Sequence, residues 1–180
     1  MFLKDDKKPA IWGGIECTIN RVEDSWLDQL EMSGYYQREN DLEAIATLGI
    51  KTLRFPILWE KHQQDNNNSK INFTWANSQL FKLRQLHITP IIGLMHHGSG
   101  PAFTSLLDPA FPDNLAAFAS KVASQFPDII YYTPVNEPFT TARFSGLYGF
   151  WYPHKTNDVS CIKMLLNQLK GVVLSMNAIR

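Results

Sequence analysis

The chain lacks an excess of either charge, since 17 basic side chains are matched by 17 acidic ones over 180 residues. Without a basic stripe it has no electrostatic footprint for nucleic acid or for an anionic lipid surface, so neither is expected as a partner. Cysteine is nearly absent. Cys17 and Cys161 stand alone, without the C-x-x-C spacing of a zinc or redox site. Two such thiols suit buried positions in a reducing compartment, and a cytoplasmic location is expected. The start, Met1-Phe2-Leu3-Lys4-Asp5-Asp6-Lys7-Lys8, turns charged before an apolar segment forms, which argues against a secretory signal. No apolar run approaches the roughly 20 residues that span a bilayer. Also missing are a low-complexity linker, an internal repeat, and a G-x-G-x-x-G or P-loop after the first strand.

Hydrophobic residues make up 44% and charged residues 19%, which indicates a folded globular chain. The sequence reads as one domain over 1–180, with no internal boundary. Ala10 to Ile15 predicts a short buried strand, followed by a polar stretch to about Gly34. Leu42, Ile45, Ala46 and Leu48 recur at helical spacing, with Gly49 where a C-cap belongs. Ile50 to Pro56 is the next strand, and Asp65 to Ser69 is an asparagine-rich loop. Trp75 to Leu86 predicts a helix, Ile88 to Met95 a third strand, and Leu115, Phe118, Ala119, Val122 and Phe126 one face of another helix. A fourth strand runs from Ile129 to Glu137, and Cys161 to Ile179 forms a fourth helix. This alternation implies βαβ units and a parallel sheet covered on both faces.

An open doubly wound sheet and a (β/α)8 barrel share that pattern. Polar residues gather after each strand: Glu16 and Asn20, Arg54 and Glu60, His96 and His97, Asn136 and Glu137. Barrel enzymes place their chemistry at this rim. A full barrel takes about 250 residues and at least about 200, so the expected fold is α/β, a (β/α)8 TIM barrel represented by its first four βα units.

Each rim residue also has a plain structural reading. Glu137 could cap loop amides, and Asn136 before a proline could make an Asx turn. Arg54 interrupts an apolar strand and, by alternation with Leu53 and Phe55, points into the barrel. A guanidinium there needs a carboxylate, and the available ones are Glu16, Glu60 and Glu137. His96 could be a satisfied core histidine, while His97 faces the other way if the strand continues. Paired histidines raise the question of a metal, but no spaced carboxylate or thiol set accompanies them, so no metal or cofactor is expected. Trp12, Trp59 and Trp151 read as packing residues, with stacking on the flat face of a ligand the alternative for Trp151, Tyr148 and Tyr152.

Thr133-Pro134-Val135-Asn136-Glu137-Pro138 resembles the T-x-N-E-P signature of family 1 glycoside hydrolases, the β-glucosidase family of retaining (β/α)8 enzymes. Ile11-Trp12-Gly13-Gly14, Leu53 to Trp59, Pro90 to His96 and Gly146 to Pro153 resemble that family's motifs on strands one, two and three and in the loop after strand four. The resemblance implies hydrolysis of β-glycosidic bonds with retention, with Glu137 as acid/base, raised by partial burial and a neighbouring carboxylate. It implies that Asn136 binds the sugar 2-hydroxyl, that Arg54 braces the nucleophile, and that His96, Glu16, Asn20 and Trp151 contact a carbohydrate substrate.

Departures mark a divergent member. Asn20 stands where the family carries a glutamine, Pro56 replaces a serine, and His97-Gly98-Ser99-Gly100 replaces a tryptophan and an aspartate. The family's nucleophile belongs to strand seven. The chain alone is therefore expected to be inactive, with the remainder of the barrel or a second copy of the half barrel as partner. The alternative is a degenerate, non-catalytic sugar-binding domain, including one fused to a sugar-nucleotide reductase as the resemblance suggests.

Overall fold

The computed structural model describes residues 10–66 and 70–180. The charged start Met1 to Lys8 and positions 67–69 of the asparagine-rich loop lie outside the described residues. Strand β1 (Trp12–Gly14) leads into an antiparallel hairpin, β2 (Ile19–Val22) and β3 (Ser25–Asp28), and a short helix α1 (Gln29–Met32). Helix α2 (Asp41–Thr47) precedes β4 (Thr52–Pro56), which is followed by α3 (Trp59–His62) and α4 (Thr74–Gln85). Then come β5 (Thr89–Gly93), α5 (Phe111–Gln125), β6 (Tyr132–Thr133), the short α6 (Pro138–Ala142), a π-turn at Arg143–Leu147, and α7 (Asp158–Ile179).

The expected parallel sheet is present. Among the described residues β1, β4, β5 and β6 pair in parallel and in chain order. Each new strand adds beside the last, so the order never reverses as it does at the switch point of a doubly wound sheet. Register pairs Pro56 with Gly93 and Gly93 with Thr133. The chain therefore leaves β4, β5 and β6 at one edge, and residues 57–62, 94–104 and 134–137 share that rim. Hydrogen bonds extend the pairing into the rim: Trp59 N donates to Leu94 O and Asn136 N to Met95 O, each at 2.9 Å.

The core is aromatic. Trp59 is fully buried against the rings of Phe103, Phe111 and Phe118, and its indole donates to Gln63 Oε1 at 2.8 Å. Cys17 and Cys161 are free and buried, as expected. Burial, helped by the Glu16 charge, pushes the Cys17 thiol up to about 12, so it stays protonated. Gly49 takes a left-handed φ of 78° just after α2, as its C-cap reading required.

Four expectations need correction. The first strand is not buried: Ile11 and Trp12, expected to pack, are 74% and 58% exposed, because β1 is the edge of the sheet among the described residues. The polar stretch before Gly34 holds the β2–β3 hairpin and α1. Its two-residue turn, Glu23-Asp24, lacks the glycine or asparagine that announces such turns. The fourth strand is two residues long, joined by an isolated bridge between His96 and Asn136; Pro134 has no N–H to extend it. Finally, α7 has 22 residues and is apolar enough to cross a membrane by length and composition. Lys163 and Lys170 had broken its apolar run. One face of this helix, with Met164, Gln168, Gly171 and Ser175, is buried against the fold.

Candidate active site

The rim gathers a single polar cluster around Asn136. Arg54 projects from β4, and its Nη1 donates to Asn136 Oδ1 at 2.6 Å. That bond fixes which end of the amide is oxygen. The amide nitrogen then faces His96 Nε2 at 3.3 Å and His97 Nε2 at 3.2 Å. An NH2 group has two hydrogens, so the amide can donate to a ring nitrogen that carries a lone pair. His97 Nδ1 faces Thr141 Oγ1 of α6 at 3.2 Å, whereas His96 Nε2 is also met by the Glu16 carboxylate, which can only accept. Burial first, then the neighbouring His97, holds His96 below the usual imidazole range, with Glu16 opposing. Burial also lowers His97, opposed by Glu137 and Glu16.

Glu137 follows directly, at the N-cap of α6 with a left-handed φ of 46° and ψ of 61°. This backbone turn lifts its carboxylate out over the rim, 60% exposed, with Oε2 3.9 Å from His97 Nε2. Glu16 closes the other side of the cluster. Its carboxylate lies 4.0 Å from Arg54 Nη2 and 3.3 Å from His96 Nε2. Trp151 adds an aromatic wall, its ring 5.8 Å from His97 and 4.7 Å from Phe144. The arrangement offers a solvent-accessible carboxyl, a positioned amide and neutral imidazoles to a hydroxylated ligand. Among the described residues no group of three or more histidine, cysteine, aspartate or glutamate side chains is placed to hold a metal ion.

Of the residues expected at the site, Glu137, Asn136, Arg54, His96, Glu16 and Trp151 come together. Asn20 does not: it is buried in β2 opposite Leu27, and among the described residues no hydrogen bond links it to the cluster. Glu137 is more exposed than expected, and the ionisable side chain within 4 Å of it is His97 rather than a carboxylate. His97, expected on the opposite face, turns into the cluster. Strand alternation ends at this residue, because His97 takes a left-handed φ of 56°. The following Gly98-Ser99-Gly100 was the available hint that the strand stops there.

Arg54 pairs with Glu16, not with Glu60. Glu60 lies beneath the rim, where its Oε1 accepts from Gly100 N at 3.0 Å and its Oε2 is buried without a partner. Gly98 makes room for it: a Cβ there would sit 1.9 Å from Oε1. Burial pushes the Glu60 carboxyl up to about 7, from 4.5. The folded state thus holds this proton more tightly than the unfolded one. Stability from this group is full below about pH 4.5 and falls as pH rises to about 7, by about 3 kcal/mol. Glu60→Gln keeps the acceptor for Gly100 and removes the charge. Urea unfolding should show the variant about 1–3 kcal/mol more stable than wild type at pH 8 and no more stable at pH 4.5. An equal difference at both pH values would refute the assignment.

A sequence profile of glycosyl hydrolase family 1 matches residues 1–176. Coniferin beta-glucosidase from Pinus contorta is 27% identical over 143 residues, covering 75% of this chain and 28% of the relative. Probable inactive beta-glucosidase 14 from Oryza sativa subsp. japonica is 22% identical over 165 residues, covering 87% and 32%. Among solved structures, a beta-glucosidase from Thermotoga maritima in complex with glucoimidazole is similar with a TM-score of 0.72. At 22% identity, over 80% of this chain and 34% of that one, this likeness concerns the fold alone. The chain spans about a third or less of the length of these relatives.

Proposed function

The chain belongs to glycosyl hydrolase family 1, and on that premise we propose that it supplies the acid/base half of a retaining β-glycosidase. Its four parallel strands are the first half of a (β/α)8 barrel, and the substrate is a β-glycoside. Glu137 protonates the leaving oxygen and later deprotonates the attacking water, as the two steps of retention require. Asn136 hands one amide hydrogen from a histidine to the sugar 2-hydroxyl, a bond that strengthens in the transition state. His96, Glu16 and Trp151 complete the wall of the sugar pocket. The single observation that carries this reading is the Glu137-Asn136 pair at the carboxyl end of β6, with the amide oriented by Arg54. Retention also needs a second carboxylate about 5–5.5 Å from the first. By resemblance to the family that group sits on strand seven, which the remainder of the barrel would supply, with a second copy of the half barrel as the alternative partner. Two free buried thiols suit a cytoplasmic setting.

A sugar-binding role without turnover is the second reading. It is favoured by Glu16 occupying the Arg54 guanidinium and by Asn20 standing apart from the cluster. An aryl β-glucoside assay with product anomers followed by proton NMR separates the two. The 180-residue chain alone should show no turnover. The protein carrying a complete barrel should release the β-anomer first. Release of the α-anomer, or sugar binding without hydrolysis by the complete protein, would overturn the hydrolytic reading.

A further inference from the structure

Gln168 is a buried polar side chain that the site does not use directly. It lies on the inner face of α7, 0% exposed. Its Nε2 donates to Pro138 O at 3.0 Å and to Met164 O at 3.1 Å. Both partners are carbonyls, which only accept, so the amide must turn its nitrogen to them and both hydrogens are spent. Its Oε1 is left buried without a hydrogen-bond partner among the described residues. An apolar side chain here would avoid that cost. Pro138 directly follows Glu137, whose backbone is left-handed at φ 46° and ψ 61°. Such a conformation persists only where its surroundings over-determine it. Two hydrogen bonds bracket it: Asn136 N to Met95 O at 2.9 Å on one side, and Gln168 Nε2 to Pro138 O on the other. The Pro138 ring fixes its own φ, so a held carbonyl leaves the turn few ways to relax. We propose that Gln168 is a positioning residue for Glu137: by holding the Pro138 carbonyl from α7, it keeps the carboxyl lifted over the rim.

This deepens the hydrolytic reading and rests on it. α7 is packed closely enough to serve as the anchor. The π-turn after α6 presses on it so tightly that a Cβ at Gly146 would lie 2.7 Å from Cys161 Cα, and Thr141 and Ala142 of α6 are buried. The turn at Glu137 is thereby tied to the sheet through Met95 and to the helix layer through Gln168. Fully buried, Gln168 cannot touch a substrate, so its influence passes through the backbone. Methionine has nearly the same length and volume but no hydrogen to donate. Gln168→Met therefore removes the hold on Pro138 without opening a cavity.

The test is amide hydrogen exchange of the 180-residue chain as wild type, Gln168→Met and Ser175→Ala. Ser175 is buried in the same helix with its Oγ likewise unpartnered among the described residues, so its variant reports what losing a polar group from α7 does by itself. In Gln168→Met the Thr141 amide, which closes the turn on Glu137 O at 3.1 Å, should exchange about tenfold faster, the worth of one buried hydrogen bond. Amides of α5 should not change, and Ser175→Ala should leave Thr141 as in wild type. Unchanged exchange at Thr141, or the same acceleration throughout the chain or in Ser175→Ala, would show that Gln168 only packs. In the protein carrying a complete barrel, Gln168→Met should lower kcat on a β-glycoside with a poor leaving group by about tenfold or more at little-changed KM. The first step on a dinitrophenyl glycoside, which needs no proton, should be spared. Equal losses on both substrates, or none, would overturn the link to Glu137. A complete protein without turnover would sink the hydrolytic reading, while the exchange result still decides whether Gln168 holds the turn.

Discussion

Glu137→Gln, in the protein carrying a complete barrel, should lower hydrolysis of β-glycosides with a poor leaving group by about 10²–10⁴-fold. The reason lies in what the carboxyl contributes at each step. A basic leaving oxygen cannot depart without a proton, and a glutamine side chain has none to transfer. A dinitrophenolate departs as an anion and makes no such demand. For that substrate the first step should survive, and the loss should appear in the second, where water must be deprotonated. Rapid mixing would then reveal a burst of dinitrophenolate followed by slow turnover. The variant is not expected to disturb the fold, because the side chain is 60% exposed. Equal losses on both substrates, with no burst, would mean that Glu137 acts through binding rather than through proton transfer.

Trp59→Ala should be the most damaging change to the fold. The side chain is fully buried among three phenylalanine rings, and truncation of such a residue costs about 3–5 kcal/mol. Against a typical total of about 5–15 kcal/mol this removes much of the stability. A fall in melting temperature of about 10 °C is expected for a chain of this size, measured by calorimetry alongside urea unfolding. The damage should reach the site, because the Trp59 backbone holds Leu94 at the end of β5 and its ring lies under Gly100. Trp59→Phe, which retains most of the ring packing but loses the bond to Gln63, should cost markedly less. A loss of less than about 1 kcal/mol on going to alanine would contradict the described core.

Much of this was visible in the sequence because the relevant signals are local. Leu53, Phe55 and Ile92 form apolar runs with strand alternation, and the structure buries them at the centre of the sheet. Leu115, Phe118, Ala119 and Val122 share one helical face, and they are buried together in α5. Asn136 and Glu137 were identifiable because a carboxyl, an amide and a proline meet at a strand end. What escaped depends on a backbone turn or a distant neighbour. The left-handed His97 reverses the direction that alternation assigns to it. The choice of Glu16 over Glu60 as partner for Arg54 depends on how the loops after β1 and β5 pack. Glu60 could not be recognised as buried, since only the absence of a Cβ at Gly98 makes the space. Even the brevity of β6 follows from Pro134 together with the turn that starts α6.

The backbone at Glu137 carries a consequence for how this chain changes over time. A glutamate held in the left-handed region costs about 1–3 kcal/mol that glycine there would not. Stability alone would therefore favour glycine or asparagine at this place, and a chain released from its chemistry would drift toward them. In this chain the carboxyl sits on a conformation that opposes it, beside an amide and two imidazoles. On the proposed acid/base role, the reaction rather than the fold is what keeps a glutamate at this place.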